Sequence, residues 1–166
     1  LFALPPQESL DAIETFMKKN RPFYADPILD PIHFGFTKSI IRYYELRQEY
    51  PDINIMMGVG NLTELTEADT TGINAILFGL ISEMHLDAIL ATQVSAHCRS
   101  TVREADIARR IFYSARQDTA IPKGIDSSRA AELAPAPGTL VSASGRARCG
   151  AHNFRANSQL AAVIRR

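Results

Sequence analysis

The feature that most constrains the fold is a short apolar run that ends abruptly in glycines and polar residues. Ile55-Met56-Met57 is followed by Gly58-Val59-Gly60-Asn61-Leu62-Thr63, and a helical pattern begins after Thr66. This order is typical of a buried strand that opens into a βα loop. In α/β proteins, ligands bind at the carboxyl ends of the parallel strands. The sequence therefore predicts a ligand-binding loop at this turn.

Three strand-then-helix units follow an opening helix, which is predicted over about residues 8–19. The strands are expected at residues 23–29, 53–57 and 87–92, although Pro27 weakens the first because proline cannot donate to a ladder. The repeat predicts an α/β fold with a parallel sheet, either an open doubly wound sheet or a barrel. If the parent is a (β/α)8 barrel, residues 1–120 hold its last three units. The exposed sheet edge then needs the missing strands or a partner, as in a homo-oligomer.

Helical spacing and capping residues refine the helices of these units. In the first unit, Ile40, Ile41 and Tyr44 are predicted to form part of the helix face and Thr37 to cap the helix. In the second unit, Thr66-Glu67-Ala68-Asp69 fits a capping box at the start of the next helix. The third helix is expected to begin near Thr101.

Composition and charge bound the rest of the 166-residue chain. All 18 acidic residues lie at or before Glu132, so the body is acidic, which argues against a nucleic-acid surface. After Glu132 the chain is rich in Ala, Arg, Gly, Ser and Pro, and a linker with a poorly structured tail is predicted over residues 121–166. Alternatively, its Arg residues fold back on the acidic body. The start at Leu1 is interpreted as the start of a fragment.

Apolar segments and cysteines give an expectation about location. No apolar stretch approaches the roughly 20 residues that span a bilayer, so no membrane-spanning role is predicted. Cys98 and Cys149 are too few and too far apart for a disulfide framework or a CxxC metal site. Reduced thiols in a cytoplasmic protein are the expected state.

Asp30 is the first candidate for binding a ligand, because it follows the first strand in a loop with Phe34-Gly35-Phe36. A carboxylate can accept two N–H bonds from the edge of a guanidine-like ring, while an aromatic ring such as that of Phe36 stacks on its face. The alternative is that Asp30 only caps the turn before Pro31.

Asn61, Thr63 and Glu64 occupy the corresponding position after the second strand, so they are expected to face the same crevice as Asp30. A carboxamide both donates and accepts hydrogen bonds, which suits recognition of a ring nitrogen. The alternative for Asn61 and Thr63 is loop stabilisation through side-chain to backbone bonds. For Glu64, as for Asp69, the alternative is a favourable interaction with a helix dipole.

Basic residues near two helix starts are candidates for anion binding. Lys38 lies near the start of one helix, and Arg99 and Arg103 lie near the start of another. Backbone N–H groups there favour a phosphate or diphosphate, although surface solvation explains these residues equally well. The histidines His33 and His97 lack ligand spacing for zinc, so no metal site is predicted.

The motifs as they stand resemble the dihydropteroate synthase-like, pterin-binding superfamily of (β/α)8 barrels. Residues 28–38 are similar to the sixth-strand Asp-Pro-Gly-Phe-Gly-Phe-Gly-Lys motif of the synthases, with one extra residue before Phe34. The resemblance covers about residues 1–120 and implies that Asp30 binds a pterin ring. Asn61 matches the Gly-x-Ser-Asn-x-Ser turn of methyltetrahydrofolate methyltransferases in the same superfamily, where the asparagine reaches the pterin.

Two positions depart from the synthase pattern. Gly60-Asn61-Leu62 stands where synthases have Ser-Arg-Lys, and Thr92-Gln93-Val94-Ser95 stands where they have Arg-x-His. The resemblance implies one-carbon coenzyme metabolism, with folate or tetrahydromethanopterin and with the pterin as substrate or ligand. The leading hypothesis is a transferase that condenses a pterin diphosphate with an aminobenzoate-type amine. The alternatives are a methyl-tetrahydropterin methyltransferase and a non-catalytic pterin-binding or assembly component.

Overall fold

The structure, a computed structural model, describes residues 6–20, 22–125 and 161–165. Its helices are α1 (Pro6–Lys18), α2 (Phe36–Glu49), the short α3 (Gly60–Thr63), α4 (Thr70–Glu83) and α5 (Thr101–Gln117), with a 3₁₀ turn at Ala96–Cys98. Its strands are β1 (Met56–Gly58), β2 (Ala88–Thr92) and β3 (Ala161–Arg165). The fold is therefore mixed α/β, as the sequence predicts.

The sheet has the order β1-β2-β3 and contains one parallel pair. β1 and β2 run parallel, with Met57 opposite Ile89. Helix α4 connects them, which is the βα unit that the apolar run and its glycines predict. The strand expected at residues 23–29 is reduced to one parallel bridge between Ala25 and Ile55. Pro27 explains this correction, because it has no N–H with which to continue the ladder.

Strand β3 corrects the prediction of an unstructured tail for five residues. Residues 161–165 pair antiparallel with β2, with Val163 opposite Leu90. The pairing occupies the edge of β2 away from β1, whose backbone groups would otherwise lack partners in the sheet. The rest of the predicted tail from residue 126 lies outside the described residues, and the domain boundary near residue 120 stays a prediction.

The core lies between the sheet and the helices. Its largest fully buried apolar side chains come from the first loop, α2, β1 with the residues flanking it, and α4: Leu29, Tyr43, Ile55, Met57, Val59 and Leu77. The predicted face of α2 is partly wrong, because Ile41 and Tyr44 are exposed. Tyr43 is buried instead, on a face with Ser39 and Leu46.

The helix caps also differ from the predictions. Gly35, rather than Thr37, is the N-cap of α2. Asp69 is itself the N-cap of α4 and accepts a hydrogen bond from the Thr71 N–H, so no capping box begins at Thr66. Within the described residues, no helix is both long and apolar enough to cross a bilayer.

Candidate functional site

The loop between Ala25 and α2 is the most strained segment near the carboxyl ends of the strands. Ile28 has φ 63° and His33 has φ 69°, and Gly35 has φ 115°. A left-handed conformation at a β-branched residue such as Ile28 is a genuine outlier. Each such residue typically costs about 1–3 kcal/mol and persists only where surrounding contacts impose it. This loop carries Asp30.

Asp30 is held by an ion pair and keeps one oxygen available. Arg42 Nη2 lies 2.8 Å from Asp30 Oδ2. The Asp30 side chain is 24% exposed, and Oδ1 makes no hydrogen bond within the described residues. The Asp30 N–H donates to Ser39 Oγ at 3.1 Å, so the backbone is fixed as well. Asp30 thus presents an acceptor oxygen whose orientation is set by Arg42 and Ser39.

Asn61 contacts Leu29, the residue that precedes Asp30 in the chain. Asn61 Nδ2 donates to the carbonyl oxygen of Leu29 at 2.9 Å. This contact joins α3, directly after β1, to the residue that precedes Asp30. Asn61 Oδ1 is a second acceptor without a hydrogen bond inside the described ranges. The predicted alternative of loop stabilisation therefore holds for its amino group, while its carbonyl group stays available.

The predicted binding residues Thr63 and Phe36 both pack into the protein, Thr63 more deeply than Phe36. Thr63 is fully buried, and its Oγ1 donates to the Val59 carbonyl oxygen. Phe36 packs partly buried against the core. Phe34 is instead 81% exposed at the same loop. Phe34 is therefore the more accessible of the two aromatic rings.

Glu64 connects the loop after β1 to the end of β2. It accepts hydrogen bonds from the N–H groups of Val94 at 2.7 Å and Ser95 at 2.8 Å, and from Thr92 Oγ1 at 2.9 Å. Burial alone would raise the pKa of Glu64, but these hydrogen bonds outweigh it and leave the pKa below its ordinary value. A Cβ at Gly60 would lie 2.6 Å from Thr92 Oγ1, so glycine is needed for this close approach.

The lowered pKa of Glu64 predicts a pH dependence of stability. A carboxyl group whose folded-state pKa is depressed stabilises the fold above its unfolded pKa, and this stabilisation is lost as the pH falls through the folded-state pKa. Glu64→Gln is therefore expected to lower the free energy of unfolding at pH 7. The variant should also lose less of this free energy than the wild type as the pH falls below about 4.5. Urea unfolding at a series of pH values measures this. The exposed Glu67 gives the matched Glu67→Gln control, whose profile should follow that of the wild type.

The three predicted anion-binding residues are exposed near helix starts. Lys38 lies in the first turn of α2, and Arg103 lies in the first turn of α5. Arg99 follows the 3₁₀ turn just before α5. Their side chains form no ion pair within the described residues. Their joint action on one anion stays a prediction.

Asp26, Arg42 and Tyr43 were not predicted from the sequence. The buried hydroxyl of Tyr43 donates to Asp26 Oδ1, which also accepts from the Ile28 N–H at 2.9 Å. Burial raises the pKa of Asp26, and these hydrogen bonds only partly oppose it. Burial, followed by the nearby Asp26 charge, raises the pKa of Tyr43. The spacing of Ser39, Tyr43 and Leu46 along α2 is the signal that could have found this buried face.

The other candidate chemistry concerns Cys98 and metals. Cys98 is a buried free thiol that donates to the Thr63 carbonyl oxygen at 3.2 Å. Burial, together with the charge of Glu64, raises its pKa to about 11, so it is protonated and poorly nucleophilic near neutral pH. Cys149 lies outside the described residues. Within the described residues, no group of three or more His, Cys, Asp or Glu side chains could hold a metal ion.

Comparison with known proteins finds a relative that matches part of the chain. The chain is 35% identical over 106 residues to the uncharacterized protein MJ0107 of Methanocaldococcus jannaschii. The match covers 61% of this chain and 20% of that protein, so the chain spans about one fifth of the length of the curated relative. No protein-family model matches the chain, and no solved structure matches it.

Proposed function

We propose that this chain forms part of the pterin site of a dihydropteroate synthase-like protein of one-carbon coenzyme metabolism in the cytoplasm. The supporting observation is that the Asn61 amide donates to the carbonyl oxygen of Leu29, the residue before Asp30, at 2.9 Å. In this proposal the two strand segments and β2 are the last strands of a (β/α)8 barrel. Strands outside this chain complete the barrel and the site.

The chemistry of the two side chains favours a planar ligand with N–H donors on one edge. Asp30 Oδ1 and Asn61 Oδ1 are both acceptors without a hydrogen-bond partner in the described part of the chain. The 2-amino-4-oxopyrimidine edge of a pterin supplies adjacent N–H donors, and a carboxylate strengthens such bonds through its charge. Phe34, which is exposed in the same loop, offers an aromatic face for stacking.

In the leading reaction, an aromatic amine displaces diphosphate from the methylene carbon attached to the pterin. The new C–N bond forms as the C–O bond breaks, diphosphate carries away the bonding electron pair, and the amine loses a proton. The protein must align both reactants and stabilise the leaving charge. Lys38, Arg99 and Arg103 are the exposed cations proposed for this task. Glu64 is proposed to support the pterin loop, since its oxygens already bind the segment after β2.

A methyl-tetrahydropterin methyltransferase is the second candidate, and Asn61 is the observation that favours it. Asn61 stands where the synthases have their Ser-Arg-Lys sequence. A carboxamide can bind a pterin ring in a reaction that releases no diphosphate. A coupled assay for released diphosphate separates the two reactions. A synthase releases diphosphate when given a pterin diphosphate and an aminobenzoate, whereas a methyltransferase does not. A non-catalytic pterin-binding component turns over in neither assay.

Asp30→Ala tests the binding site directly. Loss of one charge-assisted hydrogen bond is expected to weaken pteridine binding by about 10- to 30-fold. Isothermal titration with 6-hydroxymethylpterin measures the effect in the longer protein that, in this proposal, contains the chain and completes the barrel. Asp52→Ala is the matched control, because Asp52 is exposed in the turn before Ile53. Equal affinity of Asp30→Ala and wild type would contradict the site, and no binding by wild type would contradict the proposed function.

A further inference from the structure

The segment Pro27–Asp30, called here the clamped segment, has its backbone held almost entirely by side chains. Arg42 donates to the carbonyl oxygens of Pro27 and Ile28, at 3.1 Å and 2.8 Å from Nη2. Asn61 donates to the Leu29 carbonyl oxygen. The N–H groups complete the pattern, with that of Ile28 bound to Asp26 Oδ1 and that of Asp30 bound to Ser39 Oγ. Five main-chain groups that a regular strand would pair within the sheet are thus paired with side chains.

These contacts hold a conformation that the chain would not adopt alone. Ile28 sits at φ 63°, which a β-branched residue avoids because its Cβ crowds the backbone. A conformation of this kind persists only where its surroundings impose it. Arg42 contributes most of the restraint, since its guanidinium reaches two carbonyl oxygens and the Asp30 carboxylate together.

We propose that Arg42 is a positioning residue that fixes Asp30 for its ligand before the ligand arrives. This inference rests on the proposed function, because the ligand of Asp30 is taken to be a pteridine. Arg42 occupies Asp30 Oδ2 and leaves Oδ1 for the ligand. The same guanidinium holds the backbone on which Asp30 is mounted, so carboxylate and backbone are locked as one unit.

The physical advantage is preorganisation. A loop that is ordered before binding does not lose conformational freedom when the ligand enters, so affinity is not reduced by ordering the loop. A guanidinium suits this task because it is planar and carries several N–H donors in fixed directions. A lysine ammonium keeps the charge but cannot hold two carbonyl oxygens and a carboxylate in the same geometry.

The same helix offers a matched control. Arg47, also in α2, binds backbone carbonyl oxygens and a carboxylate, that of Asp87, at 2.8 Å. Its partners lie at the amino end of β2 and in the turns that precede the strands, away from Asp30. Arg42→Lys and Arg47→Lys therefore make the same chemical change in two similar arginine clusters, and only one of these clusters contains Asp30.

The experiment measures both variants by two methods, in the longer protein that the proposed function requires to complete the site. Hydrogen exchange followed by NMR reports on the Ile28 and Asp30 amides without any ligand. In the wild type these amides should be protected, and Arg42→Lys should reduce their protection at least tenfold, whereas Arg47→Lys should leave it within about twofold. Titration with 6-hydroxymethylpterin should show about tenfold weaker binding for Arg42→Lys and unchanged binding for folded Arg47→Lys.

Tyr43→Phe is a second variant that keeps the volume of a fully buried side chain. It removes the hydroxyl that holds Asp26, the acceptor of the Ile28 N–H. A smaller loss of protection at Ile28 is expected, so the clamp can be tested even if Arg42→Lys does not fold.

The outcomes distinguish the two proposals. Rapid exchange of both amides in the wild type would overturn the clamp whether or not a pteridine binds. Wild-type pteridine binding with unchanged affinity in Arg42→Lys would overturn the positioning role and leave the proposed function standing. Absence of pteridine binding in the wild type would overturn the proposed function and, with it, the assigned ligand of Asp30, while protection lost only in Arg42→Lys would still support the clamp.

Discussion

Arg47→Ala is expected to lower the free energy of unfolding by about 3 kcal/mol, the lower end of the range for breaking a buried ion pair from one side, because the pair is only partly buried. The Arg47 side chain is only 11% exposed. Its guanidinium donates to the Asp87 carboxylate and to carbonyl oxygens from two turns, those of Pro51, Ile53, Met84 and His85. Asp87 Oδ2 also accepts the Ile55 N–H at 2.9 Å. The substitution therefore leaves a carboxylate and several carbonyl oxygens without their donor.

Urea unfolding followed by circular dichroism measures the effect, and Lys18→Ala supplies the contrast. Lys18 pairs with Glu14 at 3.4 Å on the surface of α1, with 78% of its side chain exposed. Exposed pairs of this kind contribute a few tenths of a kcal/mol at most. If Arg47→Ala were no more destabilising than Lys18→Ala, water would be replacing the guanidinium without loss, and the Arg47 cluster would not be a structural element of the fold.

Periodicity and turn residues predicted the order of the helices and strands because those signals are local. Helices at Phe36–Glu49, Thr70–Glu83 and Thr101–Gln117 confirm the three predicted helices that follow the strand positions. The strand at residues 23–29 was wrong, although its weakness was visible in Pro27. Strand β3 was missed because composition describes a whole segment, whereas a strand of five residues needs only a free edge to pair with.

The sequence indicated which loops carry the candidate residues but not which side chains bind them. The ends of parallel segments meet, so Asp30 and Asn61 were expected to be neighbours, and Asn61 does contact the Leu29 carbonyl oxygen, one residue before Asp30. The role of Arg42 depends on which of several α2 residues faces the loop, and its partners lie 12 to 15 residues away in sequence. The Arg47 partner Asp87 is 40 residues away. No local pattern specifies pairs at such separations.

Gly35→Ala is expected to destabilise the fold by about 3 kcal/mol, the upper end of the range for a strained backbone position. Gly35 is the N-cap of α2 and has φ 115° and ψ 12°, a region that residues with a Cβ rarely adopt. The added Cβ would also lie 3.1 Å from Asp30 Oδ2, the oxygen bound by Arg42. Relaxing the backbone strain would move the start of α2, and relaxing the short contact would move the Asp30 carboxylate. Thermal unfolding and pteridine titration measure the two consequences.

Gly124→Ala separates backbone strain from the contact with Asp30. Gly124 also has a positive φ, 70°, but a Cβ there would meet no atom within 4 Å. Gly124→Ala is expected to lower the free energy of unfolding by about 1 kcal/mol, the cost of the left-handed backbone conformation alone. Gly35→Ala should exceed this loss and should weaken pteridine binding about tenfold, because it disturbs the ion pair that orients Asp30. Equal losses of stability at the two glycines, with unchanged pteridine affinity, would show that Asp30 tolerates a methyl group beside it and that Gly35 serves the backbone alone.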